Sequence, residues 1–273
     1  MRATELRVVV LVKAAPVLTS HLEETMCVAG VALGAEPRWV RLHPVPFRDL
    51  AAEERFRKYQ ELTAQVIRGR SDRRPESWVP IRGSLVPGAR VGTDHGWSQR
   101  KQLIQGLGER TMCDLIEVNR SGSGPETPSL AVIRALSTPD LEITERSEDQ
   151  LSKWRQRAAA IAAQPSLFED PSALKPNFEV VPWRFRYRYR CLASRCKGHA
   201  QTLVDWEAVA LWRKVRHQPD WRERMVARFV GDLWATSRET VLFVGNQEQH
   251  PASFLVLGVF WPPKQGIQQT LSM

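Results

Sequence analysis

The residue types best suited to chemistry are concentrated in one segment of 25 residues, from Trp183 to Glu207. The segment begins with aromatic residues that alternate with Arg184, Arg186, Arg188 and Arg190. Alternation with a period of two is typical of a β-strand, so the aromatic rings would occupy one face and the guanidinium groups the other. Potential metal ligands and two carboxylates follow at once. This combination predicts a site that binds a polyanion and acts on it.

The potential metal ligands are Cys191, Cys196 and His199, which lie within nine residues. Thiolates and imidazole are the ligands of tetrahedral zinc sites, so this spacing predicts part of a structural zinc site. A fourth ligand would have to come from a distant part of the chain, and the candidates are Cys27, Cys113, Asp205, His217 and His250. The alternative is that the cysteines are small buried apolar residues beside a turn at 197–198.

Asp205 and Glu207 are the candidate catalytic residues. A carboxylate beside a cationic strand can serve as a general base or stabilise an oxocarbenium-like transition state. The alternative interpretation is structural, because Asp205 also precedes a predicted helix and acidic residues are favoured at helix N-termini.

Further nucleic-acid-binding candidates lie in two loops and on the basic strand. Arg73 and Arg74 are forked donors suited to phosphates, and Trp78 and Tyr189 offer rings on which a base can stack. Asn246 and Gln247 follow an apolar strand and supply polar groups for recognition of a base. Charged loops are also common on protein surfaces, and a β-hairpin turn accounts for 246–247 without any chemistry.

Charge favours an anionic partner. The chain has 273 residues, a net charge of +9 and a pI near 9.8. Residues 183–228 contain 12 Lys and Arg against 4 Asp and Glu, a local excess of 8. Basic residues concentrated in this way are typical of a nucleic-acid-binding surface. No apolar run is long enough to span a membrane, and four irregularly spaced cysteines do not form a disulfide framework, so we expect a cytoplasmic protein without a membrane partner.

The pattern of elements predicts an α+β fold, in which a β-rich N-terminal part packs with a mixed, basic α/β C-terminal part. We expect a barrel-like region at 1–118, a linker with a helix at 119–177 and a basic, catalytic region at 178–273; one compact domain is the alternative. Two hairpins are expected, one across 34–37 and one between ETVLFVGN and ASFLVLGVFW. Helices are expected at 98–118, at 147–164 with Ser147 as N-cap, and in two C-terminal segments.

An ordered set of segments carries a resemblance to a known family: MCVAG and RWVRLHPVPFR, KYQ and DRRPES, RYRC with the following Cys and His, DWE, and LFVGN with FLVLGVFWPPK. The set resembles bacterial phage-defence DNA glycosylases, which excise glucosylated hydroxymethylcytosine. The resemblance implies a DNA-binding hydrolase of N-glycosidic bonds that leaves an abasic site in modified phage DNA. It assigns no catalytic residue.

The residues themselves fit that activity, because such enzymes flip a nucleotide, hold its base between aromatic surfaces and need a carboxylate near the sugar. A non-catalytic nucleic-acid-binding module with structural zinc is the main alternative, and a nuclease is a third. No glycine-rich phosphate loop is present, so a nucleotide cofactor is not expected.

Overall fold

The computed structural model describes residues 2–18, 24–34, 36–47, 49–70, 72–122, 127–162 and 179–264. The fold is α+β, as predicted. The N-terminal strands are β1 (Thr4–Lys13), β2 (Val17–Leu18), β3 (Glu24–Ala32), β4 (Arg38–Val45), β5 (Gln60–Ile67), β6 (Ser77–Pro80) and β7 (Val86–Arg90). A short 3₁₀ turn, Ala52–Glu54, precedes β5.

Five of these strands close a barrel in the order β1-β3-β4-β6-β5-β1. Within the barrel only β4 and β6 run parallel. The first half of β1 pairs with β5 and its second half with β3, and its register with β3 shifts between Val10 and Val12. This connectivity is that of the OB-fold, a Greek-key barrel. The predicted hairpin across 34–37 is confirmed as β3 and β4.

The C-terminal strands form two further sheets. Their members are β8 (Glu109–Arg110), β9 (Leu130–Ile133), β10 (Asp140–Glu145), β11 (Trp183–Tyr189), β12 (His199–Thr202), β13 (Val241–Gln247) and β14 (His250–Phe260). One sheet has the order β10-β11-β12 and the other β14-β13-β9-β8. The second predicted hairpin is confirmed as β13 and β14.

The helices are α1 (Asp94–Gln105), α2 (Met112–Ser121), α3 (Glu148–Ala162), α4 (Trp206–Val215) and α5 (Trp221–Val226), the last continuing into a π-helical turn, Ala227–Asp232. Ser147 begins α3 as predicted, its hydroxyl accepting from the Gln150 amide at 3.4 Å. The single helix expected at 98–118 is wrong: the chain turns at Gly108, whose φ is +69°, and β8 separates α1 from α2.

The barrel and the C-terminal sheets share a continuous apolar boundary. One face of β1, with Val9 and Leu11, packs with Leu130, Phe243 and Leu257 of the C-terminal sheet. Backbone bonds also join the two parts, because the Ala15 amide donates to the Val204 carbonyl at 2.6 Å. In the part of the chain that the structure describes, no helix has the length and apolarity to cross a membrane. Residues 163–177 of the predicted linker lie outside the described ranges.

Candidate functional sites

The basic strand β11 separates its two kinds of side chain as its alternation predicts. Phe185, Tyr187 and Tyr189 are buried, and the arginines face outward. The expectation that Tyr189 stacks on a base is wrong in this structure, because its ring is 6% exposed and its hydroxyl donates to Gln201 Oε1.

The arginines of β11 face the acidic strand β10. Arg186 and Arg188 lie 3.9 and 3.3 Å from the Glu142 carboxylate, while Arg184 donates to Gln150 and Arg190 to the Cys196 carbonyl. Exposed ion pairs of this kind contribute little energy, so the arginines stay accessible to an anion. Their charge is nevertheless partly neutralised by β10.

Two predicted loop sites meet in the fold. Arg74 donates to the Asn246 carbonyl at 2.8 Å and makes a bidentate pair with Asp72, at 2.6 and 2.8 Å. Asn246 lies near the end of β13, and its buried amide donates to Asn119 of α2 and to the Pro251 carbonyl of β14, so it joins these elements.

The remaining loop candidates have separate surroundings. Trp78 lies beneath the guanidinium of Arg68, at 3.8 Å, while Arg73 and Gln247 are exposed.

The predicted metal ligands converge, and Cys113 completes them. The ligand atoms of Cys113, Cys191, Cys196 and His199 all lie within 4.8 Å of one another. The two Sγ atoms of Cys113 and Cys191 are 3.7 Å apart, and His199 Nε2 lies 3.6 Å from Cys113 Sγ and 3.2 Å from Cys196 Sγ. A tetrahedral Zn²⁺ with Zn–S bonds near 2.3 Å separates its sulfur ligands by about 3.8 Å. The Cys₃His group therefore has the donors and the spacing to hold a metal ion.

Local structure explains this convergence. Thr111 caps α2 by accepting from the Asp114 amide, which fixes Cys113 in the first turn of that helix. Cys196 ends a turn in which its amide donates to the Ala193 carbonyl. Gly198 then takes a φ of +110°, a conformation that favours glycine, and directs the chain into β12 at His199.

Asp205 and Glu207 lie where the barrel meets the C-terminal part. Asp205 is 1% exposed and caps α4, accepting from the Glu207 amide at 3.0 Å. Both of its carboxylate oxygens also accept from Lys58 Nζ at 2.8 Å. Glu207 is 55% exposed and lies 3.4 Å from the same ammonium group. Glu207 thus faces solvent, and the buried Asp205 carboxylate holds the Lys58 ammonium group in place.

Lys58 stays charged in this arrangement. Burial by itself would lower the pKa of Lys58, but the neighbouring charges of Asp205 and Glu207 outweigh burial and raise the pKa. Burial raises the pKa of Asp205, and the Lys58 ammonium group acts in the opposite direction. With both carboxylates ionised, the three groups carry one net negative charge.

An open cleft of about 560 Å³ begins at this cluster. Of the described residues that line it, Glu207 is the one carboxylate, and its walls combine five cations with aromatic rings. The cations are Arg57, Lys58, Arg90, Arg100 and Arg228; the rings are Tyr59, Trp97, Phe229 and Trp261. Among the described residues, Arg57, Arg90 and Arg100 have no carboxylate within 4.0 Å. The cleft therefore combines unneutralised positive charge with ring surface.

Backbone strain is concentrated at the cleft. Tyr59, His95 and Trp97 are the residues other than glycine with positive φ among those described, at 58°, 48° and 68°. Two of the three line the cleft and the third is two residues from Trp97. Left-handed backbone costs on the order of 1 kcal/mol or more for such residues and is typically found at functional sites.

Sequence reasoning did not identify most of this cleft. Lys58 and Tyr59 occur in the short polar segment FRKYQ, which contributes to the family resemblance but matches no catalytic or binding motif. Trp97 and Arg100 belong to a helix with ordinary composition. The positive φ of Tyr59 is the clearest mark of the cleft, and it is a property of the folded backbone.

Comparison with protein families divides the chain near α1. Residues 4–106 match the model described as Domain of unknown function (DUF8758), and residues 108–272 match the model described as Domain of unknown function (DUF8757). No curated protein matches the chain.

Proposed function

We propose that this chain, which belongs to the DUF8757 family, binds DNA in the cleft and hydrolyses the N-glycosidic bond of a modified base. The observation that carries the proposal is the position of Glu207, a solvent-facing carboxylate in a cleft whose other charged lining residues are all cations and whose walls include four aromatic rings. Cations suit the phosphates of a DNA strand, and rings suit a base removed from the stack.

The charge of the cluster fits the chemistry of this reaction. When the bond between base and sugar breaks, positive charge develops on the sugar, water adds at C1′ and the base leaves with a proton. Glu207 would stabilise that charge or orient the water. Because Asp205 already neutralises Lys58, the cluster retains one net negative charge to oppose the cationic sugar.

The resemblance to phage-defence glycosylases extends the proposal to the substrate, a glucosylated hydroxymethylcytosine in phage DNA. The volume of the cleft, about 560 Å³, lies in the range of small-molecule sites and accommodates a base that carries a bulky substituent.

We also propose that the Cys₃His group binds zinc and that this zinc is structural. Three thiolates and one imidazole saturate a tetrahedral ion, which leaves no position for a substrate. None of the four ligands lines the cleft. In a reducing compartment cysteines remain free thiols that can bind zinc, so the site supports the proposed cytoplasmic location.

A second candidate function is a non-catalytic DNA-binding module. The observation that favours it is the OB-type barrel, an architecture that commonly binds oligonucleotides. Fold alone does not establish function, so the choice between the candidates depends on Glu207.

The test is incubation of the purified protein with unmodified, hydroxymethylated and glucosylated DNA, followed by mass spectrometry for released base and an assay for abasic sites. We expect base release from glucosylated DNA. Glu207→Gln should lower the rate by two or more orders of magnitude, which is typical for a positioned acid–base group, and leave DNA binding intact.

The matched control is Glu223→Gln, a change at another exposed glutamate in the first turn of a helix, which should leave the rate unchanged. Binding without base release from any substrate would refute the glycosylase and support the non-catalytic module.

A further inference from the structure

Arginines and aromatic rings form a row along one wall of the cleft. Tyr59, Arg100, Trp97, Trp261 and Arg228 follow one another through cation–ring contacts and one edge-to-face ring pair, and we call them the arginine–aromatic row. The Arg100 guanidinium lies 3.9 Å from the Tyr59 ring and 5.0 Å from the Trp97 ring. The Trp97 and Trp261 rings are 5.1 Å apart, and Arg228 lies 4.8 Å from Trp261.

Hydrogen bonds and backbone conformation position the row without any ligand. Arg100 donates to the Val91 carbonyl through both Nε, at 3.0 Å, and Nη2, at 2.7 Å. The left-handed backbone at Tyr59 and Trp97 directs both rings toward the cleft at an energetic cost. A pre-ordered surface loses little conformational entropy when it binds a ligand.

Cations flank the row where a phosphate chain would lie. Arg57 and Arg90 are exposed and line the same cleft, and no carboxylate among the described residues lies within 4.0 Å of either. Ring faces beside a line of unneutralised cations are the combination that binds single-stranded nucleic acid, because unpaired bases stack on rings while cations follow the backbone. The bases of an intact duplex are stacked on one another and cannot use such a surface.

We infer that the arginine–aromatic row binds a segment of unpaired DNA strand, with bases on Trp97 and neighbouring rings and phosphates on Arg57 and Arg90. This inference rests on the proposed function in one respect, that nucleic acid occupies the cleft. It adds the form of the substrate: the strand enters unpaired, either as single-stranded DNA or as a locally opened duplex.

The experiment measures binding alone, by fluorescence anisotropy with a labelled oligodeoxynucleotide, the same strand in a duplex, and a nucleoside monophosphate as competitor. We expect the single strand to bind at least tenfold more tightly than the duplex and the monophosphate to compete weakly. Trp97→Asn, chosen because asparagine tolerates positive φ, should weaken single-strand binding about tenfold, the effect of one base-stacking ring.

Trp154→Ala is the matched control, because Trp154 also stacks with an arginine, Arg146 at 4.6 Å, but lies on α3 away from the cleft. It should leave binding within twofold of the wild type. The exposed pair Arg57→Ala and Arg90→Ala provides a second test that does not disturb packing. It should reduce the salt dependence of single-strand binding by about 1.4 in slope, or 0.7 for each lost phosphate contact.

Equal affinity for single strand and duplex would overturn the inference, as would an unchanged salt slope in the double arginine variant. Competition by the monophosphate as strong as that by the oligonucleotide would make the cleft a mononucleotide site instead. Base release without a strand preference would refute this inference alone. Failure to bind any nucleic acid would refute the proposed function as well.

Discussion

Lys58 and Asp205, 147 residues apart, form a bidentate ion pair in which Nζ lies 2.8 Å from each carboxylate oxygen. The side chain of Lys58 is 10% exposed and that of Asp205 is 1% exposed. Lys58 precedes the barrel strand β5, and Asp205 caps helix α4. The pair therefore connects the part matched by one family model to the part matched by the other.

The first prediction concerns this pair. Asp205→Asn retains the helix cap but leaves the buried Lys58 charge with only the half-exposed Glu207 carboxylate at 3.4 Å, so we expect the free energy of unfolding to fall by about 3 kcal/mol. Urea unfolding measures the difference.

Two further variants make the result specific. Asp220→Asn is the control, a change at the N-cap of helix α5. The Asp220 side chain makes no capping hydrogen bond and pairs with Arg224 at the surface, so this variant should change stability little. The double variant Lys58→Met with Asp205→Asn removes both charges and should recover most of the loss. An additive double variant would show that the two side chains do not interact.

The second prediction concerns the Cys₃His group. The protein purified without chelator should contain about one zinc ion per chain, and a chelator should lower its melting temperature, because metal binding at such sites contributes to folding. Cys196→Ser should abolish zinc binding. Cys27→Ser is the matched control, since Cys27 lies outside the group, and it should retain the metal. A metal-free wild type with a melting temperature indifferent to chelator would contradict the prediction.

The third prediction concerns pH. Burial would raise the pKa of Asp72, but its hydrogen bonds and ion pair with Arg74 outweigh burial and lower the pKa from 3.8 to about 2. A carboxyl group with a depressed folded-state pKa stabilises the protein above pH 4 and loses that contribution as pH falls toward 2. The contribution is about 2 kcal/mol for a shift of this size.

Unfolding free energies measured between pH 6 and pH 2 test this prediction. The wild type should lose stability more steeply below pH 4 than Asp72→Asn, which has no titrating group at this position. Parallel curves would show that the Asp72–Arg74 pair does not couple to folding.

The predictable parts of this molecule are those encoded in neighbouring residues. Alternation from Trp183 to Arg190 predicts both the strand and its buried face, and the hairpin of β13 and β14 follows from two apolar runs separated by a polar turn. Three of the four metal ligands are predictable from the sequence, and the fourth is not. The spacing of Cys191, Cys196 and His199 indicates a site, whereas Cys113, 78 residues from Cys191, is only one of five possible fourth ligands until the chain folds.

The cleft is formed by residues that are far apart in the sequence, so local sequence patterns do not predict it. Its surface combines residues near β5, α1, α4 and β14, which are remote in sequence, and its strained rings follow no local pattern. The pairing of Arg74 with Asn246 has the same origin, because two loops predicted separately are brought together by the contact between barrel and C-terminal sheet.

The last prediction concerns Gly30, at the closest approach of β1 and β3. A Cβ atom added at this residue would lie 2.1 Å from the Val9 carbonyl oxygen and 2.7 Å from Val8 Cγ1. Because the nearest obstacle is backbone paired on both sides of β1, it cannot move without opening the barrel. Gly30→Ala should therefore lower the free energy of unfolding by about 3 kcal/mol or more, the upper range for overpacking a core.

Gly34→Ala is the matched control in the turn that follows, where nothing lies within 4 Å of the added atom, and it should be close to neutral. Equal stability of the two variants in urea unfolding would show that β1 and β3 do not approach as closely as this barrel requires.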